Sequence, residues 1–266
     1  MESLLTYRSV EICYQGRRAV QDISFALHPG EILGIVGESG SGKSSLLRAA
    51  LGILGQGGLV TRGDIWFRGT NLPDATENEL RAIRGRQIGM IFQDTKASLC
   101  PIRTIGDQIH ESLAAHERLS RAESDRRARA MLEQLGFPDS GRILNSYPFE
   151  LSGGMNQRVG IGLAMLSEPA VLLADEPTSA LDVVHQRRIV AQLRTVRETC
   201  GTAILLVTHN IGAVSALADT VLVLHEGRTV EYGPAAQVLS HPRAAYTKTL
   251  LDAVPQLRAG KDRGTR

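Results

Sequence analysis

Apolar and polar residues alternate over positions 9–14 and again over 20–27, with the turn-forming Gln15-Gly16-Arg17-Arg18 between them. That period of two predicts a β-hairpin with one buried face. Positions 31–36 end in the short apolar run Ile32-Leu33-Gly34-Ile35-Val36, typical of a buried strand. A glycine-rich stretch follows, and 44–54 then carries apolar residues that suit a helix packed on a sheet. Positions 64–68 and 87–92 read as further strands. From 105 to about 167 the pattern is helical, and the charged run 121–129 is assigned to a solvated face. Two strand-plus-helix units come next, 170–175 with 184–199 and 202–208 with 211–218. Glu226-Gly227 then forms a hairpin turn between strands at 221–225 and 228–232. Apolar strands alternating with helices predict an α/β fold with a mainly parallel sheet covered on both faces. The long helical stretch predicts a second, mostly helical lobe.

Composition narrows the class of protein. The chain has 266 residues, 42% hydrophobic and 22% charged, enough to bury a real core within one large domain. A formal net charge of +2 offers no general attraction for nucleic acid, so none is expected as a partner. The basic end from Arg258 to Arg266 reads as a solvated tail. No run approaches the roughly 18 to 20 apolar residues that span a bilayer. Met1-Glu2-Ser3 begins neither a basic n-region nor an apolar h-region, so a cytoplasmic location is expected. Cys13, Cys100 and Cys200 form no CxxC pair and no metal spacing, and they read as free thiols.

The glycine-rich stretch carries the first chemistry. Gly37-Glu38-Ser39-Gly40-Ser41-Gly42-Lys43-Ser44 fits GxxxxGK[ST] and sits between a predicted strand and a predicted helix. Glycines let successive backbone N–H groups wrap around phosphates, and a helix N-terminus adds partial positive charge there. Lys43 is placed to reach the β- and γ-phosphates, and the Ser44 hydroxyl to ligate Mg²⁺. A glycine-rich turn with a chance lysine is the bland alternative. By composition it would arise in about one chain in a hundred of this length.

A second element supports the first. Val171-Leu172-Leu173-Ala174-Asp175-Glu176 is an apolar strand that ends in two carboxylates. Carboxyl ends of central parallel strands face the crevice in which such sheets bind ligands. Asp175 is the natural partner of Mg²⁺ through water, and Glu176 can polarise the water that attacks the γ-phosphate. A kinase or a small GTPase could share both elements.

Leu151-Ser152-Gly153-Gly154-Met155-Asn156-Gln157-Arg158 separates those possibilities. It opens a helical segment and has no role in a simple kinase. Ser152 can cap the helix, and Gly153 and Gly154 expose N–H groups for close approach of an anion. One chain cannot easily aim two anion sites at the same phosphate, whereas a head-to-tail pair of chains can.

With these motifs the chain resembles the ATP-binding subunits of ABC transporters over nearly its whole length. The resemblance implies one ATP-binding cassette over 1–266. Its parts are a P-loop NTPase core with an N-terminal antiparallel β subdomain (1–93 and 168–233), a helical subdomain (94–167), and a C-terminal helical extension and tail (234–266). Met155 stands where the family's LSGGQ signature has glutamine. By the same resemblance Tyr14 stacks on adenine, with Tyr7 close by as the other aromatic. Gln93 senses Mg²⁺, Ser45 extends the phosphate contacts, and His209 holds the γ-phosphate. Ser179-Ala180-Leu181-Asp182 communicates across the dimer. The implied mechanism is an ATP sandwich, in which Ser152, Gly153 and Gly154 act in trans on ATP and Mg²⁺ held by the partner chain.

Tyr147-Pro148-Phe149-Glu150, His241-Pro242 and the stretch from Ala245 to Leu251 resemble the oligopeptide, dipeptide and nickel importer branch. That branch implies two separate integral-membrane permease chains, an extracytoplasmic solute-binding protein, and a peripheral position on the cytoplasmic membrane face. It favours a heterodimer of two different ATP-binding chains over a homodimer. Permease docking is expected on the segment from Asp94 to about Gly106. No cysteine follows Cys200, so the C-terminal cysteine cluster of some branch members cannot form. Cys100 stands where asparagine is usual, and a neutral substitution is the reading. The alternatives are an ABC ATPase of DNA repair or translation, or another P-loop NTPase. Repair members carry long insertions and translational ones two cassettes, and neither feature is visible.

Overall fold

The computed structural model describes residues 2–179 and 181–253. The sequence's basic tail and Ala180 lie outside the described residues, as does the end of the 234–266 extension.

The antiparallel sheet comes first. β1 (Leu5–Tyr14) pairs with β2 (Arg17–Leu27) around the two-residue turn Gln15-Gly16. The hairpin is longer than the alternation suggested because β1 is irregular at Ser9, whose φ is 47°. That irregularity shifts the buried face, so Leu5 and Tyr7 are out of phase with Val10 and Ile12. After β3 (Ile32–Val36) and α1 (Lys43–Ala50), β4 (Gly58–Phe67) joins the sheet beside β1, with the short β5 (Thr70–Asn71) at its edge. The α1 helix stops at Ala50, short of the expected 54, because Gly52 turns the chain at φ 62°.

The helix α2 (Glu77–Ile83) is held by a capping box between Thr76 and Glu79. It leads into β6 (Ile88–Ile91). Helices follow in place of one continuous helical stretch: α3 (Thr95–Ser98), α4 (Ile105–Ala114), α5 (Arg121–Gln134), α6 (Ser140–Asn145) and α7 (Gly153–Met165). Asp94, Thr104, Ser120, Asp139 and Ser152 accept N-terminal hydrogen bonds and mark each start. These helices enclose their own apolar cluster, which includes Ile105, Ile109, Leu132, Ile143 and Val159.

The remaining elements complete the larger sheet. They are β7 (Val171–Asp175), α8 (Val183–Cys200), β8 (Ala203–Val207), α9 (Ile211–Leu217), β9 (Thr220–His225), β10 (Arg228–Pro234), α10 (Ala235–Ser240) and α11 (Ala245–Asp252). The strand order is β10-β9-β3-β8-β7-β6, parallel throughout except for β10. Every residue of β3, β7 and β8 is buried, which explains their unbroken apolar runs. On one face, α1 is packed between this sheet and the antiparallel sheet, with Leu46 and Leu47 in the shared core. On the other face lie residues of α8, α9, α10 and α11. The loops at the carboxyl ends of β3, β7 and β8 therefore open on one edge, between the two sheets and the helical cluster.

Candidate functional site

The phosphate-loop sequence joins β3 to α1 as expected. Glu38, Ser39 and Gly40 form its exposed crest, while Gly37, Ser41 and Lys43 are buried. Gly37 passes so close to the end of β9 that a Cβ there would meet Leu224 O at 2.1 Å. Gly42 caps α1 at φ 100° and lies against Ala19 of β2. At either place the nearest obstacle to a side chain is a backbone carbonyl oxygen, Leu224 O or Ala19 O. The Lys43 ammonium curls under the loop and donates to Gly37 O at 2.8 Å and Glu38 O at 2.7 Å. Burial pulls the Lys43 pKa down, opposed by the charges of Glu176, Asp175 and Glu38.

Ser44 Oγ donates to Asp175 Oδ1 at 2.7 Å, which joins the start of α1 to the end of β7. Asp175 is 1% exposed, and its other oxygen, Oδ2, is buried without a hydrogen-bond partner. Burial pushes the Asp175 pKa up, while the Ser44 bond and the Arg48 and Lys43 charges pull it down. An orphaned carboxylate oxygen beside a serine hydroxyl is a hard-oxygen donor set that suits a small divalent cation.

Glu176 follows at once, with φ 47°, a conformation strained for a residue with a side chain. Its N–H bonds Val207 O at 2.8 Å, so the residue continues the ladder of β7 onto β8. Thr208 Oγ1 donates to Glu176 Oε2 at 3.1 Å, and the His209 N–H donates to Oε1 at 3.1 Å. His209 Nδ1 is 2.9 Å from the same Oε1, and its ring is 67% exposed towards the open edge.

Tyr14 ends β1 half-buried, with Oη donating to Ser45 Oγ at 3.2 Å, which places its ring at the first turn of α1. Tyr7 is core: it is 1% exposed, stacks on Phe25 at 4.3 Å and donates to Leu46 O. Gln93 is exposed after β6, and its carbonyl accepts from Ser179 Oγ at 3.5 Å. Ser152 stands at the start of α7 and accepts from Met155 N at 3.3 Å. Gly153 is open to solvent on its Cβ side, whereas Gly154 lies against the His185 ring. Among the described residues no hydrogen bond joins Ser152, Gly153 or Gly154 to the phosphate loop.

Some participants went unnoticed in the sequence. Thr208 ends an apolar strand beside His209, a position that could have drawn attention. Gly227 N donates to Ser41 O at 3.2 Å from the β9–β10 turn, and Tyr246 Oη accepts from Glu38 N at 3.3 Å. Nothing local in the sequence marks either contact.

The ABC transporter family pattern matches residues 20–179, and the oligopeptide/dipeptide transporter C-terminal region matches residues 230–266. The chain belongs to the ABC transporter ATP-binding family. It is an ATPase of that family, with the mixed α/β cassette fold. It is 44% identical to the oligopeptide transport ATP-binding protein OppD of Salmonella typhimurium, over 90% of this chain and 71% of the relative. It is 40% identical to the dipeptide transport ATP-binding protein DppD of Lactococcus lactis, over 92% and 71%. With the glutathione import ATP-binding protein GsiA of Salmonella choleraesuis it shares 43% over 91% of this chain and 40% of that protein. Among solved structures, the cassette dimer MJ0796 bound to ADP and phosphate superposes with a TM-score of 0.77 at 28% identity, covering 87% of this chain and 98% of the other.

Proposed function

We propose that this cassette hydrolyses ATP to drive import of peptides through separate permease chains. The observation that carries the hydrolytic part is the convergence of Lys43, Ser44, Asp175, Glu176 and His209 on one edge of the parallel sheet. Peptides are favoured because the relatives named above move oligopeptides, dipeptides and glutathione, and none of the three is named for nickel.

In this reading the phosphate loop, from Gly37 to Ser45, cradles the β- and γ-phosphates, and Tyr14 stacks on the adenine. Ser44, Asp175 and Gln93 would hold Mg²⁺, which when bound neutralises charge on the phosphate oxygens. Lys43 leaves the carbonyls of Gly37 and Glu38 for the phosphates. Glu176, oriented by Thr208 and His209, accepts a proton from the attacking water as its oxygen bonds to the γ-phosphorus. The bond from that phosphorus to the bridging oxygen breaks, which releases ADP and phosphate. His209 donates to the γ-phosphate.

Ser152, Gly153 and Gly154 approach the same phosphate from a second ATP-binding chain, the arrangement suited to an anion site at the start of a 13-residue helix. A heterodimer is the assembly proposed, with two permease subunits and an extracytoplasmic binding protein beyond them. No helix among the described residues is long and apolar enough to cross a membrane, which fits a peripheral place at the cytoplasmic face.

Uptake of a labelled dipeptide by cells carrying wild type or Glu176→Gln tests the reading. Collapse of uptake in the variant supports it. Undiminished uptake would remove dipeptides from the proposal and turn the search to nickel or a metal chelate.

A further inference from the structure

Glu38 and Tyr246 are 208 residues apart, yet the Glu38 N–H donates to Tyr246 Oη at 3.3 Å. The tyrosine belongs to α11, and its position is fixed from outside the phosphate loop. Its ring lies on the His225 imidazole at the end of β9, with centroids 3.8 Å apart and planes inclined by 30°. The N–H groups of Arg243 and Ala244, just before α11, donate to the Glu231 carboxylate of β10 at 3.0 and 3.2 Å. Thr247, the next residue of the helix, is 1% exposed, and Leu250 and Leu251 pack on the cluster that contains Val221 and Val223.

Glu38 is thereby held at both ends of its backbone. Its N–H is taken by Tyr246, and its carbonyl accepts the Lys43 ammonium at 2.7 Å. On the other flank, Gly227 N donates to Ser41 O at 3.2 Å. α11 grips the loop at its exposed crest, and the β9–β10 turn grips it at the buried Ser41. A glycine-rich loop that must wrap phosphates loses conformational freedom on binding, and restraint imposed beforehand reduces that loss.

We propose that Tyr246 is a positioning residue for the phosphate loop, so that docking of the C-terminal helix raises the affinity for ATP. Tyr246 lies in the stretch matched to the oligopeptide/dipeptide transporter C-terminal region. That region is then part of the nucleotide machinery and not only an appendage. The inference rests on residues 37–45 being the nucleotide site.

The full chain is titrated with mant-ATP and Mg²⁺ as wild type, Tyr246→Phe and Tyr246→Ala, with melting curves and steady-state hydrolysis alongside. Phenylalanine keeps the ring on His225 and removes only the acceptor. The expected result is a Kd about threefold to tenfold higher, the loss of one hydrogen bond. KM for ATP rises in step, while kcat and Tm stay at wild-type values. Tyr246→Ala weakens binding at least as much. A Phe variant with wild-type Kd overturns the proposal, because ring packing alone then explains the residue. A Kd that rises only together with a fall in Tm overturns it as well. Failure of the wild-type chain to bind mant-ATP would overturn the nucleotide-site reading itself and this inference with it, so one titration distinguishes the two failures.

Discussion

Glu176 Oε1 and His209 Nδ1 lie 2.9 Å apart at the ends of neighbouring parallel strands. The pairing of Asp175 with Val207 in β7 and β8 fixes this meeting, because the next residues on each strand must then emerge side by side. Glu176 adopts φ 47° to do so, a conformation that costs about 1–3 kcal/mol in a residue with a side chain. Strain is retained where the surroundings over-determine it, and here Thr208 and His209 bind both carboxylate oxygens.

Glu176→Gln is therefore expected to keep the backbone and lose the proton acceptor. Steady-state kcat should fall about 10²- to 10⁴-fold with ATP affinity unchanged. The variant with its partner chain should accumulate as a closed, ATP-bound dimer, visible by size-exclusion chromatography. A wild-type hydrolysis rate in the variant would end the assignment of Glu176.

Asp175 gives a prediction about pH. Burial raises its pKa in the folded, nucleotide-free chain, so the folded state holds the proton more tightly than the unfolded state. Well below the ordinary carboxylate range both states are protonated and the group contributes no pH dependence. As pH rises through that range and then through the raised value, the folded state is progressively penalised. Asp175→Asn cannot ionise, and its amide oxygen can still accept from Ser44. In EDTA without nucleotide it should be more stable than wild type at pH 8, by urea unfolding, with the difference vanishing towards pH 4. Hydrolysis should be lost. Equal pH slopes in the two proteins would contradict the buried-carboxylate account.

Gly37 and Gly40 both have positive φ, 157° and 82°, and differ in crowding. A Cβ at Gly37 would fall 2.1 Å from Leu224 O, whereas at Gly40, φ 82°, it meets nothing within 4 Å. Gly37→Ala is expected to cost about 1–3 kcal/mol or more and to abolish nucleotide binding. Gly40→Ala should cost nearer 1 kcal/mol, from φ alone. Chemical denaturation of both decides it, and equal losses would show that the Leu224 contact does not govern this loop.

The phosphate loop was legible in the sequence because its chemistry is local: glycines, a lysine and a serine must follow one another on the same turn. Asp175 and Glu176 were legible for the same reason, at the end of a run buried on both faces. Tyr246 was not, since its contact with Glu38 depends on how β9, β10 and α11 stack, and an isolated tyrosine on a helix carries no signature of that. The first half of β1 escaped because the irregularity at Ser9 reverses the phase of the alternation. The start of β4 escaped because Leu59, Thr61 and Arg62 are exposed and leave no apolar rhythm. The α1 boundary was overrun because Leu51, Ile53 and Leu54 continue the apolar pattern past Gly52, where backbone geometry ends the helix.

His185 links two motifs that the sequence kept apart. Its Nδ1 is 2.7 Å from Asp182 Oδ2, and its N–H donates to Asp182 Oδ1 at 2.9 Å. The ring lies against Gly154, where a Cβ would come within 2.4 Å of Cδ2. Because Asp182 tethers the ring, it cannot simply swing aside, so Gly154→Ala should break the His185–Asp182 pair or push back the start of α7. A loss of about 1–3 kcal/mol is expected in the wild-type background. In a His185→Ala background the added methyl has room, and most of that loss should disappear. Contacting residues of this kind couple by about 0.5–3 kcal/mol in a double-mutant cycle. Urea unfolding of the four proteins measures the coupling directly. If the two substitutions add, the ring does not restrain Gly154, and the glycine is required there for another reason, such as close approach of an anion to its N–H.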